Sequence, residues 1–119
     1  MSACEFARPW LTGMSIHSHM HSNSLISGVL YIQVERDMDK MDFYRNSTAQ
    51  NFVSCDEVNI YNALSMSYSV NVGDLILFPS ALVHGARATT GAHTRIGLAF
   101  NAFARGELGT EEQLTSLTI

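Results

Sequence analysis

Three of the five histidines in this 119-residue chain, His17, His19 and His21, lie at alternate positions within one short segment. If the segment is extended, side chains at alternate positions point to the same face. Two imidazoles spaced in this way can bind one metal ion, and zinc, iron, nickel and copper all accept imidazole. The same spacing also fits a polar strand end with solvated histidines. The pattern therefore indicates a metal site only if another ligand reaches it.

His84 and Arg95, which lie much further along the chain, bear on whether other groups reach the same site. His84 follows the apolar segment 75–83, and a buried strand followed by a turn would bring its imidazole back to the same cavity. The alternative is a core histidine bonded to a backbone carbonyl. Arg95 opens an otherwise apolar segment in which its same-face neighbours, Gly97 and Ala99, are small. Small neighbours leave room for the guanidinium to bind a carboxylate through two parallel hydrogen bonds, unless the side chain extends to water instead.

Strand patterns dominate the segments that must position these residues. The predicted strands are rich in branched and aromatic residues or alternate at period two, and they cover residues 24–34, 66–72, 75–78, 83–86 and 95–103. Residues 110–113 read as a capping box and predict either a short helix or a frayed tail. Many short strands bounded by turns predict an all-β sandwich or jelly roll.

Composition limits the class of protein. The chain is 46% hydrophobic and 15% charged, which predicts a folded chain, and its length predicts a single domain over residues 1–119. The net charge of -4 argues against binding to nucleic acid or to an anionic membrane, because both need a basic face. No apolar run approaches the roughly 18 residues that span a bilayer. With no secretory signal, Cys4 and Cys55 are expected to be free thiols, and the expected location is cytoplasmic.

The motif order resembles a small family of 2-oxoglutarate- and Fe(II)-dependent oxygenases found often in marine bacteria and phages. The resemblance covers roughly residues 10–101 and is much more specific than any one of its motifs. Its pieces are Trp10, the histidine pair and the strand after it (19–31), a more loosely fitting strand (41–45), a Gly-Asp-Leu-Ile-x-Phe-Pro-Ser segment ending in a histidine (73–84), and Arg-Ile-x-x-Ala-Phe-Asn (95–101).

The resemblance implies a double-stranded β-helix, also called a jelly roll or cupin-like barrel. It also implies that His19, His21 and His84 bind Fe(II). The usual ligand set is two histidines and one carboxylate, whereas this chain has His-x-His and no acid at the second position. Three neutral imidazoles would hold Fe(II) more weakly than a set with a carboxylate. His17, or an acid from a loop such as Asp37 or Asp42, remains an alternative ligand at this point.

The resemblance further implies that Arg95 binds the far carboxylate of 2-oxoglutarate, with Tyr31 against the same carboxylate and Ser27 on the same face. The expected wall or core of the cavity is apolar and consists of Leu25, Val29, Leu77 and Ile96.

The activity that the resemblance implies is hydroxylation of an unknown small-molecule or peptide substrate, with release of succinate and CO2. Two alternatives remain: a three-histidine cupin-like metalloprotein that does not use 2-oxoglutarate, and a non-enzymatic jelly-roll module whose histidines do not converge. Fold alone does not decide among them, because jelly rolls host many functions. A homodimer is also expected, since so small a barrel would leave an open edge.

Overall fold

The structure is a computed structural model that describes residues 4–10, 14–45, 56–88 and 93–119, with the backbone alone for residues 4–10. These residues form ten β-strands and no helix. The strands are β1 (Cys4–Trp10), β2 (Ile16–His19), β3 (Ile26–Gln33), β4 (Lys40–Tyr44), β5 (Ser65–Ser69), β6 (Leu75–Pro79), β7 (Val83–Ala86), β8 (Arg95–Ala102), β9 (Glu107–Leu108) and β10 (Leu117–Thr118). No helix in these ranges is long and apolar enough to cross a membrane.

The first eight strands form two four-stranded sheets in which every pairing is antiparallel. The order of the first sheet is β1-β8-β3-β6, and the order of the second sheet is β2-β7-β4-β5. Apart from β4 and β5, which follow each other in the second sheet, successive strands cross from one sheet to the other. This is the winding of a double-stranded β-helix, and it confirms the all-β jelly-roll prediction.

The period-two pattern of β3 and β8 decides which side chains face the interior. Tyr31 on β3 is 4% exposed and Arg95 on β8 is 1% exposed, whereas Ile32 is half exposed. Between the sheets, four buried side chains form the core, namely Tyr31, Met41, Val70 and Phe78. The core is therefore small and lies directly beside the inward-facing polar residues.

The outer face of the first sheet is apolar and partly exposed. Leu77 was expected to line the cavity, but it is 57% exposed because Ile76 and Phe78, its neighbours on β6, take the inward positions. Leu25 precedes β3 and is 53% exposed, so that prediction was also wrong. Ile96 was expected in the wall as well, but it lies on this outer face because Arg95, its neighbour on β8, points inward. Other large apolar residues share the outer face, among them Ile26, Leu30, Ile32, Leu75 and Leu98. The expected homodimer stays a prediction.

Strand β2 contains an irregularity that matters for the site. Ile16 pairs with Ala86 and His19 pairs with His84. Between these two pairs, β2 advances by three residues whereas β7 advances by two. The extra residue is a β-bulge, which breaks the alternation assumed for the histidine segment. The bulge lies over Gly85, where a Cβ atom would come within 2.9 Å of the Ile16 carbonyl oxygen.

The C-terminal segment is a turn and a short hairpin rather than a helix. Thr110 accepts a hydrogen bond at its side-chain oxygen from the Gln113 N–H at 3.3 Å, which is the contact that the capping motif predicts. The turn closes at Leu114, whose φ is 54°, and β9 then pairs with β10. The capping hydrogen bond therefore forms, but only a single turn follows it and no helix. The predictions for Cys55 and for the Cys4 side chain lie outside the described residues.

Replacing Gly85 by alanine tests the bulge. We expect Gly85→Ala to lower the free energy of unfolding by about 1–3 kcal/mol, because the new methyl group would press on the β2 backbone. Urea unfolding measures the change. Ser69→Ala, on the exposed face of β5, is the matched control and should change stability by less than about 0.5 kcal/mol. Equal stability of the Gly85→Ala variant and the natural chain would show that β2 does not press on β7 there.

Candidate active site

A cavity of about 520 Å³ lies between the two sheets. All six residues predicted for the site line it, namely His19, His21, Ser27, Tyr31, His84 and Arg95. The histidines come from the second sheet and its continuation, whereas the other three residues come from β3 and β8 of the first sheet. Of the predicted wall residues, Val29 lines this cavity.

Three histidines converge on one point. His19, His21 and His84 each offer a ring nitrogen, and these nitrogens lie within 4.8 Å of one another. His19 is the last residue of β2 and is directly opposite His84 on β7. His21 lies beyond the strand end, where its backbone N–H donates to the Ser80 carbonyl at 3.0 Å. Antiparallel pairing thus places two rings side by side, and one loop hydrogen bond brings the third.

Backbone carbonyls select the tautomer of two of these rings. The Nδ1 of His19 lies 2.7 Å from the His17 carbonyl oxygen, and the Nδ1 of His84 lies 2.8 Å from the Leu82 carbonyl oxygen. A carbonyl oxygen only accepts, so each Nδ1 carries a hydrogen, and in the neutral ring Nε2 is then the atom that can bind a metal. This arrangement is typical of metal-binding histidines, which usually donate their other N–H to a fixed acceptor.

The surroundings of the cluster favour neutral rings. Burial lowers the pKa of His84, and the nearby His19 and His21 lower it further, outweighing the hydrogen bond to Leu82 that raises it. Burial and the neighbouring His19 also lower the pKa of His21. His84 also packs against Phe78, with ring centroids 4.4 Å apart. Only the neutral ring can bind a metal, so these effects keep the ligand form available below the usual histidine pKa.

The alternative ligands do not join the cluster. His17 lines the cavity, but the bulge separates it from the alternation of His19 and it lies outside the group of converging nitrogens. Asp42 accepts a hydrogen bond from Arg87 Nε at 2.9 Å and another from the Ser67 hydroxyl. Asp37 lies exposed in the turn before β4. In the described ranges no carboxylate joins the three histidines.

Arg95 is buried, so it does not extend to water. Its guanidinium Nη1 donates to the Arg87 carbonyl at 3.2 Å and to Asp39 Oδ1 at 3.4 Å. Gly97, the next residue on the same face of β8, is also buried, as the small-neighbour argument expects. The result is a fixed cation in the wall of the cavity.

Sequence reasoning missed Asp39, the partner of that cation. Asp39 is 0% exposed, and its Oδ2 accepts from the Glu35 N–H at 2.9 Å and from His93 Nε2 at 2.8 Å. Burial alone would raise its pKa, but these hydrogen bonds and the positive charge of Arg95 outweigh burial and lower it. Asp39 comes from a turn and His93 from just before β8, so only tertiary structure reveals the contact.

Tyr31 presents a neutral hydroxyl. Burial raises the pKa of Tyr31 to about 12, although the nearby positive charge of Arg95 lowers it. The hydroxyl donates to Met41 Sδ at 3.4 Å, a weak acceptor. It can therefore turn to a better acceptor at small cost.

Ser27 lies in a hydrogen-bonded row of polar side chains. Its hydroxyl donates to Asn101 Oδ1 at 2.7 Å and lies 2.8 Å from the Ser80 hydroxyl. Asn101 also lines the cavity, and sequence reasoning gave it no role. The signal that could have found it is the cross-strand pairing of Ser27 with Asn101, which requires the register of β3 and β8.

The arrangement joins a metal-binding group to an anion-binding group. Three imidazoles and a buried guanidinium line the same cavity, and no carboxylate of a described residue lines it. Imidazole ligands suit Fe(II), and a guanidinium suits a carboxylate.

We expect low pH to decrease the free energy of unfolding, because it protonates the Asp39 carboxylate. A carboxyl whose pKa is lowered by folding stabilises the fold fully above its ordinary value near pH 4, and this contribution is lost as the pH falls through the lowered value. We expect Asp39→Asn to cost about 3 kcal/mol at pH 7 and much less at pH 2, as urea unfolding would show. Asp37→Asn, in the adjoining exposed turn, is the control. An equal cost of Asp39→Asn at both pH values would contradict the assignment.

Comparison with solved structures finds the same fold in a larger protein. A structure titled "Non-heme monooxygenase, ThoJ-Ni complex" superposes with a TM-score of 0.53 at 14% sequence identity. The match covers 82% of this chain and 41% of that chain. At that identity the likeness shows the fold alone. No curated protein matches this chain.

Comparison with family models identifies the family. The model described as "Putative 2OG-Fe(II) oxygenase" matches residues 10–101, which is most of the chain and contains every residue of the candidate site. The chain belongs to this family of 2-oxoglutarate- and Fe(II)-dependent oxygenases.

Proposed function

We propose that the protein is a 2-oxoglutarate- and Fe(II)-dependent dioxygenase that hydroxylates a small-molecule or peptide substrate. The observation that carries the proposal is the convergence of three imidazoles in the cavity that also contains the buried Arg95. Family membership supports the same activity. The proposed location is the reducing cytoplasm, where both cysteines stay thiols.

The ligand set fits a ferrous ion. In the proposal, His19, His21 and His84 bind Fe(II) through nitrogens that already lie within 4.8 Å of one another. The carbonyls of His17 and Leu82 orient two of the rings through Nδ1, so that Nε2 is the ligand atom of the neutral ring. Bound Fe(II), together with 2-oxoglutarate, supplies the activation of dioxygen that ends in succinate, CO2 and a hydroxylated product.

Arg95 and Tyr31 would hold the far carboxylate of 2-oxoglutarate. Arg95 supplies a cation in a buried position, where a charge-assisted hydrogen bond is stronger than in water. Asp39 and the Arg87 carbonyl keep the guanidinium from rotating. Tyr31 stays protonated and would turn its hydroxyl from Met41 to the carboxylate.

Part of the cavity wall is apolar. Val29 and Ala99 of the first sheet and Ala86 of the second sheet line it. Apolar surroundings would strengthen the interaction between the buried Arg95 and a carboxylate, because they lower the local dielectric constant.

One alternative has a specific observation in its favour. All three converging groups are histidines, with no carboxylate of a described residue among them, which also suits cupin-like metalloproteins that do not use 2-oxoglutarate. The non-enzymatic alternative expects histidines that do not converge, so the geometry argues against it. The homodimer and the choice between a small-molecule and a peptide substrate belong to the proposal.

Anaerobic titration with Fe(II) and then 2-oxoglutarate tests the function. We expect a weak metal-to-ligand charge-transfer band in the visible that needs both additions. His84→Ala should abolish the band, and Arg95→Lys should weaken 2-oxoglutarate binding by about tenfold, because an ammonium cannot reproduce the planar fork. Arg87→Leu removes a cation that is 72% exposed and is the matched control.

The outcomes separate the alternatives. A metal complex that forms but shows no response to 2-oxoglutarate would favour the three-histidine metalloprotein. Loss of the band in Arg87→Leu together with its retention in Arg95→Lys would contradict the assignment of the clamp. Failure of the natural chain to bind any divalent metal would reject the proposed function itself.

Metal content after reconstitution tests the ligand set. His19→Ala, His21→Ala and His84→Ala should each lower the affinity for Fe(II) by about tenfold or more, because each removes one of three ligands. His17→Ala should retain metal, since only the backbone carbonyl of His17 contacts His19. Elemental analysis of desalted protein gives the stoichiometry. Equal losses in all four variants would show that His17 is a ligand.

A further inference from the structure

The outer face of the first sheet is apolar at every position that β3, β6 and β8 turn outward. The buried residues Tyr31, Phe78 and Arg95 mark the inward positions of these strands, so the residues that alternate with them point away from the cavity. None of the outward residues carries a charge or a side-chain hydrogen-bonding group. They are Ile26, Gly28, Leu30, Ile32, Leu75, Leu77, Pro79, Ile96, Leu98, Phe100 and Ala102.

The side chains of this face remain accessible in the single chain. Ile32 and Leu75 are 50% and 53% exposed, and Leu77 is 57% exposed. In the middle of the face, Phe100 and Leu77 converge over Gly28, where a Cβ atom would collide with both side chains. The absence of a side chain at Gly28 thus lets its neighbours from β6 and β8 meet, and the face is a continuous apolar surface across three strands.

The second sheet has the opposite character on its outer face. Met41 and Phe43 on β4 pack into the core, so the alternate positions of β4 and their partners on β5 point outward. Each of these outward residues carries a hydroxyl or a charge. They are Lys40, Asp42, Tyr44, Ser65, Ser67 and Ser69. An antiparallel sheet with one solvated face normally alternates apolar and polar residues, whereas the first sheet does not, which is typical of a sheet that is covered on both faces.

We propose that the outer face of the first sheet binds a second copy of this chain, in a two-fold symmetric dimer whose first sheets pack face to face. In such a dimer the same surface meets itself, so a face without charges brings no like charges together. Interfaces between identical subunits are also more apolar than interfaces between different proteins, which are about as polar as the rest of the surface. A wholly apolar face therefore fits a second copy better than a different protein.

The size of the face predicts a dimer of moderate affinity. A standard interface uses about 20–30 residues on each side, and the outward residues of β3, β6 and β8 supply about half of that number. Strand β1 extends the same sheet beyond β8. Two sheets that pack face to face lie about 10 Å apart, with their strands rotated by about 30°. We therefore expect a Kd on the order of micromolar.

The proposed interface leaves the candidate active site free. Tyr31 and Arg95 lie on the inner face of β3 and β8, whereas the interface uses the outer face of the same strands. Each cavity of the dimer would be built from one chain alone. The inference therefore does not depend on the proposed function, and its test needs no measurement of activity.

Sedimentation velocity of the full chain, between about 1 and 100 µM, tests the dimer. The natural chain should shift from monomer to dimer over this range. Leu77→Glu should weaken the dimer at least about a hundredfold, because each copy would bury an unpaired carboxylate in the interface. Ser69→Glu adds the same charge to the polar face of the second sheet and is the matched control, so its dimer should match that of the natural chain.

Ile32→Glu on β3 gives a second disruption of the same face. Both replaced side chains are about half exposed in the single chain, so the variants should fold, as circular dichroism would show. A natural chain that stays monomeric at about 100 µM would overturn the proposal and leave the face to a different protein. A dimer that survives both Leu77→Glu and Ile32→Glu would also overturn it, as would equal weakening by Ser69→Glu.

Urea unfolding at two protein concentrations gives an independent readout. Association of folded chains stabilises them by mass action, so a higher concentration should raise the unfolding midpoint of the natural chain and of Ser69→Glu. The midpoints of Leu77→Glu and Ile32→Glu should not depend on concentration. The same concentration dependence in these two variants and in the natural chain would show that the chains associate through another surface.

Discussion

The antiparallel pairing of β2 with β7 is the constraint on which the site depends. It sets His19 opposite His84 and leaves the chain after β2 to be fixed by one hydrogen bond, from His21 N–H to the Ser80 carbonyl. The bulge shifts β2 by one residue so that this pairing holds. Without the bulge, the alternation of the segment would bring a different residue opposite His84. The glycine at position 85 permits the close approach, because any side chain there would meet the β2 backbone.

The charge balance of the cavity depends on the groups around the three converging histidine rings. A carboxylate ligand would cancel one of the two positive charges of a ferrous ion, whereas three neutral imidazoles cancel none. In the proposed function, the cavity would therefore rely on the anionic co-substrate for charge balance, and the nearby Arg95 would increase that dependence. Asp39 offsets the guanidinium from behind, since it contacts Nη1 and is itself fixed by Glu35 and His93. This pairing makes a buried arginine tolerable while the arginine still lines the cavity.

Much of the fold was predictable because its signals are local. Period-two alternation identified β8 and its inward face, and the order of motifs identified the three converging histidines. Leu77 was misplaced because a run of four apolar residues does not reveal which side faces the core. The capping motif at Thr110 was real, but one cap does not sustain a helix without packing. Asp39 and Asn101 could not be found from spacing, because their partners are brought close by tertiary contacts and strand register.

Strand register also explains how a small domain can bring several polar groups into one cavity. One face of β8 carries Arg95 at one end and Asn101 at the other, with only Gly97 and Ala99 between them. Small residues along that row leave open space in the cavity, which Ala99 lines. The pairing of β8 with β3 adds a hydroxyl to each end, Tyr31 near the arginine and Ser27 beside the asparagine. A single pair of strands thus supplies a charged side chain at one end and uncharged polar side chains at the other, with the histidines of the second sheet facing the same cavity.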